Sequence, residues 1–156
     1  MGKTRSFAAA IIMAGAALTL AACQTGGGSS GAGASGSGFA YLGDIRASAD
    51  LSPLSPDPRL EKAAIRQAEY MASAGKMNHT TGWRRDFATR MKADGVAAPA
   101  AENLAHGRMS TQRVFEMWMA STGHRNNMLD ARFTRYGLAY APAADGRRYW
   151  ALVLGK

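Results

Sequence analysis

The chain has 156 residues, of which 47% are hydrophobic and 19% are charged, a composition typical of one globular domain rather than of a repeat array or a disordered chain. Lys and Arg number 19 against 11 Asp and Glu, so the formal net charge is +8. The single cysteine excludes an intramolecular disulfide and a zinc site built from several thiolates.

Residues 1–22 have the pattern of an export signal. Lys3 and Arg5 precede the apolar run FAAAIIMAGAALTL. That run is shorter than the roughly 20 residues that span a bilayer, but it matches the roughly 7–15 residues of a secretory signal core. A short buried helix is the alternative. The basic start and the small residues at the end favour the signal.

The apolar run ends in Leu20-Ala21-Ala22-Cys23, which resembles a bacterial lipobox. The resemblance implies that Cys23 is lipidated and becomes the mature N-terminus. In a Gram-negative cell it further implies an outer-membrane lipoprotein facing the periplasm or the cell surface. The alternative is a plain signal peptide cut near Ala22, which would leave a spare thiol in an oxidising compartment.

Residues 24–38 read QTGGGSSGAGASGSG and offer almost no apolar side chain to bury. The composition therefore predicts a flexible linker, with a typical span of roughly 20 Å. The folded domain is predicted to comprise residues 39–156.

The first two predicted helices lie at the start of this domain. Residues 39–49 form a plausible helix with Phe39, Leu42 and Ile45 or Arg46 on one side. Asp57 can cap a second helix that has Pro58 at its first position and that ends at Gly75. Its apolar stripe recurs at spacings of four, four and three: Leu60, Ala64, Ala68 and Met71.

Three further helices are predicted after Gly75. Trp83, Phe87 and Met91 form a helical stripe that ends near Gly95. Ser110 or Thr111 can cap a fourth helix, which ends near Gly123, and residues 126–130 allow a short fifth helix. The fourth helix carries Val114, Phe115, Trp118 and Met119. The spacing of these Met and aromatic side chains favours core packing over a cofactor pocket.

The strands are fewer. Residues 135–141 and 148–154 are short, aromatic and aliphatic, and a turn signal at 143–146 predicts that they form a hairpin. Residues 102–105 suggest a third, weaker strand. Helices with an antiparallel hairpin predict an α+β layered domain.

Four segments together resemble a bacterial CAP domain, of the superfamily of cysteine-rich secretory proteins, antigen 5 and pathogenesis-related proteins. They are AEYMASAGKMNHT at 68–80, AENLAHG at 101–107, MWMASTGHRNNMLDARFTRYGLAYA at 117–141 and YWALVLGK at 149–156. The resemblance implies a three-layer α-β-α sandwich with a small antiparallel sheet. It also implies a large cleft that often holds two histidines and two acidic residues.

Matched position by position to the family pattern, the resemblance assigns His79, Glu102 and His124 to this cleft. The second acidic position falls three residues after Trp118, where this chain has Ser121. The chain thus carries three of the four family residues, and it lacks the second carboxylate that a two-carboxylate mechanism needs.

The chemistry of these residues leaves two interpretations open. His79, Glu102 and His124 form a reasonable set of ligands for Zn²⁺ or another divalent cation, with one position left for water. Alternatively, they form a hydrogen-bonded network that shapes the cleft without any cofactor. Ser121 is a candidate nucleophile, but a hydroxyl at a helix end more often bonds to the backbone. His106 is expected at the cleft rim or in an exposed loop.

The leading functional hypothesis is a non-enzymatic envelope lipoprotein whose cleft binds a lipid, a peptide or a wall fragment. A metal-dependent hydrolase using His79, Glu102 and His124 is the alternative, and a purely structural module is a third. The arginines at 84, 85, 125, 132 and 135 form a solvated basic face or attract anionic headgroups or acidic wall polymers. Because no nucleic-acid fold signature is present, no nucleic-acid partner is predicted, and membrane contact is expected through the lipid anchor.

Overall fold

A computed structural model describes residues 1–2 and 30–156; the predicted signal core, Cys23 and residues 24–29 lie outside the described residues. The described chain contains five helices and five strands. The helices are α1 Ser35–Ala47, α2 Pro58–Ala74, α3 Phe87–Ala93, α4 Thr111–Ala120 and α5 Thr122–Met128. The strands are β1 Ala32–Gly33, β2 Ser55–Pro56, β3 Ala101–Gly107, β4 Arg135–Pro142 and β5 Arg148–Gly155.

One sheet organises the domain, with its strands in the order β1-β4-β5-β3 and β2 paired in parallel with β4. The other pairings are antiparallel, and the predicted hairpin is confirmed as β4 and β5. Strand β5 is buried on both faces because its side chains alternate between two cores. Tyr149, Ala151 and Val153 pack with α2 and α3 residues, whereas Trp150, Leu152 and Leu154 pack with residues of α1, α4 and α5. The predicted three-layer arrangement is confirmed.

Helix α2 lies directly on strand β4. Its predicted start and end are confirmed: Asp57 Oδ1 accepts from the N–H groups of Arg59 and Leu60 at 2.8 and 3.1 Å, and Gly75 ends the helix at φ 61°. A Cβ at Gly137 would overlap the backbone where Leu60 joins Glu61. Glycine at 137 therefore allows the helix and the strand to meet backbone to backbone.

The predicted linker is wrong for residues 32–38, because these residues are folded. Strand β1 pairs Ala32 with Tyr140 and Gly33 with Ala139, and α1 begins at Ser35 rather than at Phe39. The glycines here serve close packing rather than flexibility. A Cβ at Gly33 would overlap the Glu61 carboxylate, so the low apolar content of this segment does not prevent its burial.

Buried hydrogen bonds complete this N-terminal contact. Ser35 is buried, its hydroxyl oxygen accepts from the Leu138 N–H at 3.0 Å, and its carbonyl accepts from the Tyr136 hydroxyl at 2.7 Å. The Ser35 N–H donates to Glu61 Oε2 at 3.0 Å. These polar bonds satisfy the backbone groups that the packing removes from water.

Two predicted helical stripes differ from the structure. Phe39 is 50% exposed, whereas Leu42 and Arg46 of the same helix are buried. Trp83 lies before α3 and is 86% exposed, because Asp86 caps that helix and sets its start at Phe87.

Other predicted elements are confirmed with shifted bounds. The third strand is β3, and Ser110 caps α4 through the Arg113 N–H. Helix α5 starts at Thr122, four residues earlier than predicted. Within the described residues, no helix combines the length and the hydropathy that a membrane crossing needs.

Candidate functional site

The structure brings His79 and Glu102 together. His79 lies in the connection between α2 and α3, residues 75–86, which we name the His79 loop, and Glu102 lies on β3. His79 Nδ1 is 2.9 Å from Glu102 Oε1. A carboxylate only accepts hydrogen bonds, so Nδ1 carries the hydrogen and Nε2 is the nitrogen left for a ligand. The Glu102 side chain is 1% exposed, whereas that of His79 is 54% exposed, so a buried carboxylate orients an accessible imidazole.

Arg90 completes this site and was not predicted from the sequence. Its Nη2 donates to Glu102 Oε1 at 2.8 Å, and the Arg90 side chain is only 3% exposed. The same nitrogen donates to the His79 carbonyl at 3.2 Å, and Nε donates to the Arg85 carbonyl at 3.2 Å. Arg90 therefore fastens two points of the His79 loop to Glu102.

A local signal for Arg90 was present. It follows Phe87 by three positions on a helix that the apolar stripe identifies, so the two residues lie on neighbouring faces. Its counter-ion lies twelve residues further along the chain, on a different element, and only the tertiary fold shows that pairing.

Gln67 supports the His79 loop from α2. This buried side chain donates from Nε2 to the Asn78 carbonyl at 2.7 Å, and Asn78 Oδ1 accepts from the Thr80 N–H at 3.0 Å. The backbone on either side of His79 is thus held by bonds from α2, from α3 and within the loop itself.

His124 is tied to the residue next to Glu102. The fully buried Asn103 donates from Nδ2 to the His124 carbonyl at 3.0 Å, and Asn103 Oδ1 accepts from Asn127 Nδ2 at 2.9 Å. The His124 ring lies 6.4 Å from the ring of Trp118, measured between centroids. The structure thus places both predicted histidines around the Glu102–Asn103 segment of β3, and the two asparagines are further residues of the site that were missed.

The pKa of His124 is expected to lie below its ordinary value of 6.5, chiefly because of burial and secondly because of the positive charge of His79. Between the folded value and 6.5, the unfolded chain binds a proton that the folded chain does not. His124 therefore makes the folded state less stable as the pH falls through 6.5. In an NMR titration, we expect the midpoint of His124 to lie below 6.5 and to rise in His79→Gln. A midpoint that does not move in this variant would contradict the predicted proximity.

The structure gives no support to Ser121 as a nucleophile. The residue lies between α4 and α5, and its N–H donates to the Trp118 carbonyl at 3.2 Å. Within residues 30–156, its hydroxyl makes no capping bond, so the expected bond to the backbone is not made either. His106 is exposed, as expected, but it lies on β3 and not in a loop, and its ring stacks on Tyr149 with centroids 5.6 Å apart.

The predicted metal site does not fit this geometry. Among the described residues, no three His, Cys, Asp or Glu side chains lie close enough together to hold a metal ion. In addition, the Arg90 guanidinium, which donates to Glu102 Oε1 at 2.8 Å, would repel a metal cation at this carboxylate. The structure therefore does not support the assignment of His79, Glu102 and His124 as metal ligands, although it brings these residues to one region.

Comparisons with known proteins cover most of the folded chain. Residues 39–154 match the cysteine-rich secretory protein family, CAP. The uncharacterized protein YkwD of Bacillus subtilis (strain 168) is 32% identical over 101 residues, which are 64% of this chain and 39% of that protein. The chain thus spans about two fifths of the length of this curated relative.

Solved structures share the fold. An outer surface protein from Borrelia burgdorferi superposes with a TM-score of 0.68 at 23% identity, over 76% of this chain and 88% of that one. An extracellular protein containing an SCP domain from Bacillus anthracis superposes with a TM-score of 0.67 at 24% identity, over 78% of this chain and 40% of that one. The CAP domain of enterococcal PrgA superposes with a TM-score of 0.55 at 20% identity, over 76% of this chain and 59% of that one.

Proposed function

Because the chain belongs to the cysteine-rich secretory protein (CAP) family, we propose that it is an exported lipoprotein of the cell envelope that binds a ligand through His79 and His124. The ligand is a lipid, a peptide or a wall fragment that offers polar groups to the two imidazoles. Cys23 anchors the protein in the outer membrane, and the folded domain does not catalyse a reaction.

One observation carries this proposal: an accessible His79 imidazole held by the buried ion pair of Glu102 and Arg90. Such an arrangement fixes the direction of a hydrogen-bonding group without supplying a nucleophile, a second carboxylate or a fitting metal site. Within the described residues, Glu102 Oε2, Arg90 Nη1 and Thr81 Oγ1 are buried without a protein partner. The protein leaves their hydrogen-bonding capacity unused, but they are buried, so the accessible His79 imidazole is the group that meets a ligand.

Binding through the two histidines is tested with the mature chain, residues 23–156, carrying Cys23→Ser, so that both the apolar signal and the lipid are absent. The protein is sedimented with purified wall sacculi, and it is titrated with phospholipid vesicles and with a pool of envelope peptides. We expect one of these probes to bind, and His79→Ala with His124→Ala to weaken that binding about tenfold or more, as for two lost hydrogen bonds.

His106→Ala is the matched control. It also removes an exposed imidazole from β3, the strand that carries Glu102, but the His106 ring stacks on Tyr149 and does not contact Glu102. We expect it to bind the probe like the parent protein. Equal weakening by this control, or binding that the double variant leaves unchanged, would refute the proposed site.

The proposed anchor is tested by phase separation in a cloud-point detergent. We expect the chain expressed in a Gram-negative host to enter the detergent phase, because acyl chains on Cys23 bind lipid and detergent. A chain with Cys23→Ser and without residues 2–22 is expected in the aqueous phase, because it has neither the acyl chains nor the apolar signal. Recovery of the unaltered chain in the aqueous phase would remove the anchor from the proposal.

A further inference from the structure

The His79 loop also forms an exposed aromatic and basic surface. Trp83 is 86% exposed, whereas the other two tryptophans, Trp118 and Trp150, are fully buried. Arg84 and Lys92 border the same surface pocket as Trp83. Lys76 and Arg85 are exposed in the same loop, and Asp86 is the one acidic residue between positions 75 and 92. The surface therefore combines one large apolar side chain with a local excess of positive charge.

The loop backbone holds Trp83 outward on a firm support. Arg84 adopts a left-handed conformation with φ 56°, which is uncommon for a residue other than glycine. Its guanidinium lies 5.2 Å from the Trp83 ring, and that of Arg85 lies 4.1 Å from the ring of Tyr70 on α2. Because Arg90 also binds the Arg85 carbonyl at 3.2 Å, the exposed tryptophan projects from a segment that is fixed at its base.

The N-terminal segment leaves the folded domain beside the turn of α2 on which the His79 loop packs. The Gly31 N–H donates to Glu69 Oε1 at 2.8 Å, and Glu69 is the neighbour of Tyr70, on which Arg85 packs. Seven residues separate Gly31 from Cys23. Whatever their conformation, these eight steps of the chain span at most about 28 Å. A lipid on Cys23 would therefore hold Gly31 within about 28 Å of the bilayer, which leaves the His79 loop within reach of its surface.

We propose that the His79 loop docks on the anionic phospholipid surface in which Cys23 is anchored. Trp83 enters the interface between headgroups and acyl chains, where tryptophan is enriched, and the surrounding basic side chains contact lipid phosphates. This inference rests on the proposed lipid anchor for its choice of membrane. It also has a consequence for the binding site, because His79 would open toward the bilayer surface.

Tryptophan fluorescence tests this docking without the anchor. The mature chain, residues 23–156 without the apolar signal and with Cys23→Ser, is titrated with vesicles of phosphatidylglycerol and phosphatidylcholine, or of phosphatidylcholine alone. Because Trp83 is the exposed tryptophan of the three, its emission should dominate any change. We expect a shift to shorter wavelength and reduced quenching by acrylamide with the anionic vesicles, and no change with the neutral ones.

Variants separate specific docking from general attraction of a basic protein. Arg84→Gln with Arg85→Gln is expected to reduce partition onto anionic vesicles by about thirtyfold, as for two basic residues near the surface. Trp83→Ala is expected to reduce vesicle co-sedimentation as well. Arg132→Gln with Arg135→Gln makes the same charge change at exposed positions outside the His79 loop, where the two arginines pair with Asp130 and Asp57. This variant is expected to leave partition within about twofold of the parent, since charges away from the docked surface are screened.

Unchanged Trp83 emission with anionic vesicles would overturn the proposal, and so would equal losses in the two double-arginine variants. Binding to wall sacculi that depends on Trp83, without vesicle binding, would overturn it in favour of a wall ligand. Because this assay uses unlipidated protein, its failure is distinct from a failure of the detergent partition that tests the anchor.

Discussion

Replacing Glu102 with glutamine is expected to lower the free energy of unfolding by about 3–5 kcal/mol, because the buried Arg90 guanidinium would lose its counter-charge. The two side chains are 3% and 1% exposed, so water cannot replace the missing charge. In a domain of this size, such a loss corresponds to a fall of roughly 10 °C or more in the melting temperature. Urea denaturation of the Cys23→Ser protein measures the change.

Two companion variants identify the cause. Arg90→Met with Glu102→Leu removes both charges and is expected to recover most of the lost stability, because apolar replacements of a buried ion pair are often tolerated. Glu116→Gln removes the carboxylate of an exposed pair with Arg113 and is expected to unfold like the parent, since surface pairs contribute little. If Glu102→Gln is as stable as the parent, the buried pair does not form.

The second large effect is expected at Gly137. A Cβ at this position overlaps the backbone where Leu60 joins Glu61, and a helix backbone cannot turn aside as a flexible side chain can. Gly137→Ala must therefore push α2 away from the sheet. We expect a loss of about 3 kcal/mol in unfolding free energy, at the upper end of the usual effect of overpacking. Thermal unfolding followed by circular dichroism measures it.

Gly43→Ala is the matched control for this substitution. Gly43 lies within α1, and a Cβ there meets no atom within 4 Å. Because alanine is the better helix former, this variant is expected to gain about 0.5–1 kcal/mol. The same chemical change should thus have opposite signs at the two glycines, and a stable Gly137→Ala protein would show that α2 does not press on β4 in this way.

Elements whose ends depend on neighbouring residues were predicted correctly from the sequence. Asp57, Pro58 and Gly75 mark the ends of α2 by cap and turn chemistry that depends only on neighbours in the chain. The hairpin of β4 and β5 was equally predictable, because its turn joins two adjacent apolar strands. The positions of His79 and Glu102 followed from the resemblance to the family, and the structure brings their side chains into contact.

Features that depend on distant contacts were not predicted. The spacing of Arg90 from Phe87 places it near the apolar side of α3, but only the fold places Glu102 of β3 beside it. The glycines at 33 and 38 look like a flexible tether until α2 and β4 pack against them. Trp83 fitted a helical stripe by spacing alone, but the cap at Asp86 starts the helix after it. In each case, a partner remote in sequence or a competing local cap decides the outcome.

The pairing of β1 with β4 protects a part of the sheet that would otherwise template self-association. The Leu138 N–H and carbonyl are satisfied by the Ser35 hydroxyl and the Ala34 N–H, both upstream of the position where composition places the start of the domain. A chain trimmed to begin at Phe39 would keep the pairing of β2 with the start of β4 but would leave residues 138–140 of this strand bare, and bare edges recruit other strands into aggregates. If the proposed lipoprotein is cut by a protease between Cys23 and Gly31, a complete domain is released, whereas a cut a few residues later would release a domain prone to aggregation.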